Sequence, residues 1–314
     1  MLIDIKPFSY IVRLRFLPNL LSNILLIEES NIFRIKALIK ILLFSRVASK
    51  KSNLLFVKYS TRMKDLSCMK YASDGTRMHL YDQKNSTIGK LPKHFNEAQY
   101  ENEILARKIV GDITPAVIES SEEDGLIIEE KIRLRLFKRP YSEALKILND
   151  RFYDSKKIST PDYMSSFNQL KHEEVVSQIL KDHDVDELII RMCHGDFWKG
   201  NILENGSSDI MIIDWEYCGL RVHTYDGWFL VFSEWASQKR SSDAALYLRL
   251  QEVFSANYQG VFNVEKTKIL HMIHLFERYA THYSIGKSIA SPEMLFLEEE
   301  LNAIIQELNH DTAN

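Results

Sequence analysis

Three residues able to hold a metal ion or a proton stand close together between Cys193 and Glu216: Asp196, Asn201 and Asp214. The stretch reads C-H-G-D-F-W-K-G-N-I-L, then a short polar turn, then I-M-I-I-D-W-E. Asp196 and Asn201 lie five residues apart across Gly200, a spacing that suits a loop rather than one face of a helix. Asp214 closes a short apolar run, Ile210 to Ile213, that reads as a buried strand. Asn205-Gly206 is a hairpin-turn signal between the two halves. The expected arrangement is loop, strand, turn, strand, with one carboxamide and two carboxylates converging at one end.

That set suits phosphoryl transfer. Mg²⁺ is a hard ion that binds through one or two carboxylates plus substrate phosphates. An Asn carbonyl and an Asp carboxylate on neighbouring strand ends can hold it against a nucleotide. A second, metal-free Asp is then left to orient an acceptor hydroxyl and take its proton. On this reading Asp196 is the base, and Asn201 and Asp214 are the metal ligands. Two other readings stand beside it. Asp and Asn in loops commonly form turns and caps. A hydrolase metal site could also be built on His194, Asp196 and Asp214, although no second histidine stands at ligand spacing near the motif.

H-G-D-x-x-x-x-N followed by I-D-W-E resembles the aminoglycoside phosphotransferase and choline kinase family, distant relatives of the protein kinases. The resemblance implies an α+β, protein-kinase-like two-lobed fold, with a small antiparallel-sheet lobe and a mostly helical large lobe. It implies ATP as co-substrate and Mg²⁺ as cofactor. The family's catalytic Asp falls on Asp196, and its metal-binding Asn and Asp fall on Asn201 and Asp214. Asp226, in H-T-Y-D-G-W, matches the Asp that braces the catalytic loop, and His194 matches a packing and hydrogen-bonding histidine. The family also implies a phosphate-placing lysine at the end of the third strand, paired to a Glu on the next helix. Lys84 in L-Y-D-Q-K and Glu103 in N-E-I-L-A fit those places, with Lys70, Glu97 and Glu101 as alternatives. The strand L-I-I-E-E-K-I falls where kinase-like folds place their hinge, so backbone groups of Glu129, Glu130 and Lys131 would read the adenine. The implied activity is phosphorylation of a hydroxyl on a small molecule: a sugar, an amino alcohol such as choline, or a glycan-linked acceptor. No G-x-G-x-x-G precedes the motif, and Gly75 is the only glycine near the expected hairpin. That departure leaves an alternative of another class, a non-catalytic, kinase-like nucleotide-binding regulator.

The elements that must position these residues follow from composition and pattern. The chain has 314 residues, room for one two-lobed domain or two ordinary ones. With 40 Lys and Arg against 43 Asp and Glu, it carries no basic footprint for nucleic acid. Cys68, Cys193 and Cys218 show no metal spacing and cannot all pair, which points to a reducing cytoplasm. Asp4 and Arg13 interrupt any cleavable signal peptide. Residues 1–51 read as a basic helical extension, with Ile35, Leu38, Ile39, Leu42 and Leu43 at helical spacing. Such a helix packs on the small lobe or lies on an anionic membrane surface, at the inner face. No run there is long and uncharged enough to span a bilayer.

Residues 52–132 are the expected small lobe with hinge, and residues 133–314 the helical large lobe. Strands are expected at Cys68–Ala72 and Thr76–Tyr81 around Asp74-Gly75, and at Ala116–Ser120 and Leu126–Ile132. A helix is expected from about Asn96 to Ile109. Tyr141 to Asp186 reads as helical with polar interruptions around Ser155 to Pro161. Further helices follow at Ala244–Phe254, at Ile269–Tyr283 and after Ser291-Pro292. The aromatic residues from Trp215 to Trp235 read as core or as faces for a sugar or quaternary ammonium. His271, His274 and His282 read as packing residues.

Overall fold

The structure is a computed structural model, and it describes residues 2–5, 10–13, 45–47, 62–63, 66–71, 77–82, 85–92, 96–132, 134–168, 170–237 and 243–312. The chain divides into two compact units: Met1–Tyr100 with Pro115–Arg133, and Glu101–Thr114 with Leu134–Asn314.

The first unit is one eight-stranded sheet. Its strands are β1 (Leu2–Ile5), β2 (Tyr10–Arg13), β3 (Ser45–Val47), β4 (Leu66–Tyr71), β5 (Arg77–Asp82), β6 (Thr87–Pro92), β7 (Val117–Ser121) and β8 (Leu126–Glu130), in the order β3-β1-β2-β4-β5-β6-β8-β7. Every pairing is antiparallel. In β5 the side chains alternate, with Met78, Leu80 and Asp82 buried, as a sheet with one packed face requires. Met63, Leu66, Met69, Met78, Leu80, Leu91, Leu126 and Ile128 form the core of this unit. A Cβ at Gly89 would stand 2.9 Å from Met63 Sδ and 3.2 Å from Leu80 Cβ, so only glycine lets these side chains close over β6. The β5–β6 turn is held by Asp82, whose Oδ1 accepts from Asn85 N at 3.0 Å and whose Oδ2 accepts from Asn85 Nδ2 at 2.9 Å.

One expectation is corrected within this sheet. Residues 2–5, 10–13 and 45–47 are strands that extend it, where the sequence reading placed a helical extension over 1–51. L-I-D-I and Y-I-V-R are rich in β-branched residues and too short to show helical periodicity, so pairing decides their conformation. The helical pattern from Ile35 to Leu43 lies outside the described residues.

Helix α1 (Glu97–Val110) starts at Asn96, whose Oδ1 accepts from Gln99 N at 3.0 Å, and it ends at Gly111 with φ +63°. The rest of the second unit runs β9 (Arg135–Leu136), α2 (Tyr141–Arg151), β10 (Ser155–Ser159), α3 (Thr160–Ser165), α4 (Glu173–Asp182), β11 (Glu187–Cys193), β12 (Ile202–Glu204), β13 (Ile210–Ile212), β14 (Gly219–Val222), α5 (Tyr225–Ser237), α6 (Asp243–Asn257), α7 (Val264–Ser284) and α8 (Pro292–Thr312). Its strands form two small antiparallel sheets, β10-β11-β14 and β13-β12-β9. Strand β10 replaces the expected interruption in a helical segment. S-K-K-I-S carries little strand signal of its own, and its pairing with the apolar β11 supplies the conformation. Asn205-Gly206 does mark the β12–β13 turn, with Asn205 Oδ1 accepting from Ser207 N and Asp209 N at 2.9 Å each. The left-handed residue of that turn is Ser208, at φ 68°. Helices α5 and α7 are buried on nearly every side. Among the described residues, no helix is long and apolar enough to cross a membrane.

The interior of this unit carries a pH liability at His271. Its Nδ1 accepts from Trp228 Nε1 at 2.8 Å, and Phe232, Tyr247 and His274 surround the ring or neighbour it on α7. Burial first, and then His274, push its pKa from 6.5 down to about 3. The unfolded chain therefore takes up a proton that the folded chain refuses. Stability is complete above pH 6.5 and is lost as the pH falls toward 3. Acidifying from pH 6.5 to 5 is expected to cost roughly 2 kcal/mol through this residue. Urea unfolding of the wild type and His271→Gln at both pH values measures it. An unchanged pH slope in the variant would show that the assignment is wrong.

Candidate active site

The loop between β11 and β12 is hung from one carboxylate. Asp226, fully buried in the first turn of α5, accepts from His194 N at 2.9 Å through Oδ2 and from Gly195 N at 3.0 Å through Oδ1. The His194 ring makes a second tie. Its Nδ1 accepts from Asp196 N at 3.2 Å, so Nε2 carries the hydrogen and donates to Ile213 O at 2.9 Å. Burial lowers its pKa below 6.5 against the opposing pull of Asp226, which fits this neutral ring. Gly195 sits at φ +82°, and a Cβ there would fall 2.0 Å from Tyr217 O. No other residue type fits that crossing.

These ties place the three chemical residues. Asn201 Nδ2 donates to Asp196 O and to Asp196 Oδ2, each at 2.9 Å. With both amide hydrogens on Asp196, the oxygen Oδ1 is the atom Asn201 has left for a ligand. Asn201 O accepts from Ile213 N at 3.0 Å, which fastens the loop beside the end of β13. The next residue, Asp214, lies in the left-handed region at φ 61°, ψ 63°. For a residue other than glycine this costs about 1–2 kcal/mol. The turn that enforces it is pinned by Trp215, whose Nε1 donates to Ile212 O at 3.0 Å and Thr114 Oγ1 at 2.9 Å.

One partner of Asp196 had no signal in the sequence. Arg278, on α7, donates from Nη2 to Asp196 Oδ1 at 3.1 Å and from Nη1 to Gly195 O at 2.9 Å. Its guanidinium lies over the rings of Tyr217 at 5.0 Å and Phe229 at 4.6 Å. An arginine in the middle of a helix reads as a surface charge until the tertiary contact is known.

The donor set fits a hard divalent cation. Asn201 Oδ1 and the Asp214 carboxylate are oxygen donors on segments hydrogen-bonded to each other, the kind of pair that could hold Mg²⁺ together with phosphate and water. Among the described residues, no group of three His, Cys, Asp or Glu is arranged to hold a metal. Both ring nitrogens of His194 are engaged inside the protein, which removes it as a ligand and with it the hydrolase reading.

The remaining candidates are distributed as follows. Glu103 is buried and accepts through Oε1 from Arg107 Nε at 3.1 Å and Nη2 at 2.9 Å. Lys84 lies outside the described residues, as does the Lys70 side chain. Within the first unit, Lys90 on β6 is buried with its Nζ 3.2 Å from Glu129 Oε1. T-I-G-K-L-P shows neither alternation nor a turn signal, so nothing in the sequence singles this lysine out. Glu130 N donates to Ala116 O at 2.9 Å and Lys131 N to Ser86 O at 2.7 Å. Both of these backbone N–H groups are therefore engaged within the first unit. Trp215, Tyr217, Tyr225, Trp228, Phe229, Phe232 and Trp235 are all buried, and His271, His274 and His282 are buried with them. Cys193 and Cys218 are free, buried thiols, and burial pushes the Cys193 pKa up.

The sequence profile of choline/ethanolamine kinases matches residues 107–310, a span that contains the whole loop and Arg278. The chain belongs to that family. No curated protein sequence matches it. Among solved structures it is similar to choline kinase LicA from Streptococcus pneumoniae, with a TM-score of 0.58 and 14% identity over 82% of this chain and 100% of that one. It is also similar to a thermostable mutant of aminoglycoside phosphotransferase APH(4)-Ia, with a TM-score of 0.51 and 10% identity over 80% and 98% of the two chains. These likenesses show the kinase-like fold, and the family is one of small-molecule phosphotransferases.

The loop's dependence on Asp226 is measurable. Asp226→Asn leaves one of two buried N–H groups facing an NH₂ donor and removes the charge from both bonds. The expected cost is about 3 kcal/mol in unfolding free energy. A loss below about 1 kcal/mol in denaturant titration would refute a bracing role.

Proposed function

We propose that the protein transfers the γ-phosphoryl group of ATP to a hydroxyl of a small molecule, with Mg²⁺ as cofactor. The observation that carries this reading is the Asp196 carboxylate, held on one oxygen by Asn201 and on the other by Arg278. A carboxylate fixed on both sides has its remaining lone pairs aimed, and an acceptor O–H can donate to one of them. As the acceptor oxygen bonds to the γ-phosphorus and the bond from that phosphorus to the bridging oxygen breaks to release ADP, the acceptor proton passes to Asp196. Asn201 Oδ1 and Asp214 would hold Mg²⁺, which neutralises phosphate charge when bound. Catalysis is then chiefly positioning and charge stabilisation.

For phosphate placement, Lys90, buried and paired with Glu129, is a candidate among the described residues of the first unit, beside the expected Lys84. Nucleotide use is supported by similar structures, LicA in complex with AMP and APH(4)-Ia in a ternary complex with ADP and hygromycin B. The acceptor is a sugar, an amino alcohol or a glycan-linked hydroxyl. Buried free thiols suit a cytoplasmic location, and the basic residues of 1–51 suit the inner face of an anionic membrane.

Thermal unfolding with ATP, with and without Mg²⁺, tests the site, because a ligand that binds only the folded state raises its apparent stability. A Mg²⁺-dependent rise that disappears in Asp214→Ala is expected. Asp196→Asn should keep that rise while turnover falls by about 10²–10⁴-fold. Turnover within tenfold of wild type in Asp196→Asn would overturn the assigned role. A nucleotide-dependent rise without turnover of any acceptor would favour the non-catalytic nucleotide-binding regulator, and no nucleotide effect under any condition would remove both readings. For the membrane proposal, co-sedimentation of the full chain with phosphatidylserine vesicles is expected to fall on neutralising Lys36, Lys40 and Arg46, and equal pelleting would remove it.

A further inference from the structure

We infer that Arg278 sets the charge of the acceptor: the site takes a neutral or anionic polyol and excludes amines and quaternary ammonium compounds. The inference rests on the phosphotransferase reading above and narrows its substrate class. Tyr217 and Phe229 are aromatic faces able to attract a cation, and both carry the guanidinium of Arg278, at 5.0 and 4.6 Å. The same group is paired with Asp196 Oδ1 at 3.1 Å. The attraction that an aromatic face and a carboxylate together would offer a bound ammonium is thus already directed at a residue of the protein.

Two buried acids near Arg278 are engaged within the fold. Both oxygens of Asp226 hold the loop. Glu277, beside Arg278 on α7, accepts from Tyr163 Oη, from Val222 N at 2.9 Å and from His274 Nδ1 at 3.0 Å. A second guanidinium, Arg221, lies 4.5 Å from the Tyr225 ring centroid and donates to Tyr217 O at 3.0 Å. Neither Arg278 nor Asp196 is sealed off, with side chains 12% and 18% exposed. An acceptor whose hydroxyl meets Asp196 therefore meets Arg278 as well. In choline only an ethylene link separates the hydroxyl from the charge, so its ammonium would be forced toward a guanidinium. Hydroxyl, carboxylate or phosphate groups would instead accept from the guanidinium fork.

The decisive comparison uses choline and its neutral carbon isostere dimethylbutanol, which match in shape and differ in charge. Glycerol, glucose and gluconate complete the panel. Mg²⁺-ATP consumption is measured for the wild type, Arg278→Gln and Arg278→Lys. Wild type and Arg278→Lys are expected to favour the neutral and anionic acceptors over choline by at least tenfold in kcat/KM. Arg278→Gln is expected to shift the choline-to-isostere ratio at least tenfold toward choline, mainly through KM. A wild type that prefers choline overturns the inference. So does an Arg278→Gln variant that loses turnover equally with every acceptor, because the arginine would then only brace Asp196. Silence from the whole panel with nucleotide bound overturns it too. Failure to bind Mg²⁺-ATP at all sinks the parent reading, and the thermal measurement separates that case from the others.

Discussion

The loop between β11 and β12 exists because one buried carboxylate accepts two consecutive backbone N–H groups. Without Asp226, His194 N and Gly195 N would be buried donors with no partner, each costing about 1–3 kcal/mol. With it, the chain can leave β11, cross beneath Tyr217 O at Gly195 and turn back into β12. Every chemical residue inherits its position from that crossing. Asp196 follows it directly, Asn201 closes the loop onto Asp196, and Ile213 N on Asn201 O draws in the segment that carries Asp214.

Helix α7 serves the same loop from behind. It buries Glu277, His274 and His271 and also carries Arg278, which donates to the loop at Gly195 O. Such a polar helix is stable in the interior because its members satisfy one another: His274 lies between Thr224 Oγ1 at 2.8 Å and Glu277 Oε2 at 3.0 Å. The cost of burying these groups is offset only while every partner is in place. A helix this dependent on its contacts holds Arg278 with little freedom, and a rigid arginine positions a carboxylate better than a mobile one.

The motif residues were legible because their chemistry depends on local spacing. H-G-D, the Asn five positions on and I-D-W-E together define a loop, a strand and a turn, and the structure contains all three. Helix α8 was legible from its cap at Ser291-Pro292, and α6 and α7 from apolar residues at helical spacing. What escaped is set by contacts remote in sequence. Strand β10 exists because β11 needs a neighbour, and the strands at 2–5 and 10–13 exist because β4 offers an edge. Lys90 and Arg278 escaped for the same reason. A lone cation in a strand or helix declares nothing until Glu129 or Asp196 is found beside it.

The geometry of Asn201 couples the two halves of the proposed chemistry. One end of its amide donates to Asp196 twice, and the opposite end is the oxygen left for a cation. An ion that draws on that oxygen polarises the amide and strengthens its N–H donation to the base. Loading the metal would then also fix the Asp196 carboxylate in its working orientation. Arg278 on the other oxygen keeps the carboxylate from rotating away before that happens. Asp196 and Asn201 are therefore best understood as one hydrogen-bonded unit, with Asp226 as its anchor and Arg278 as its outer wall.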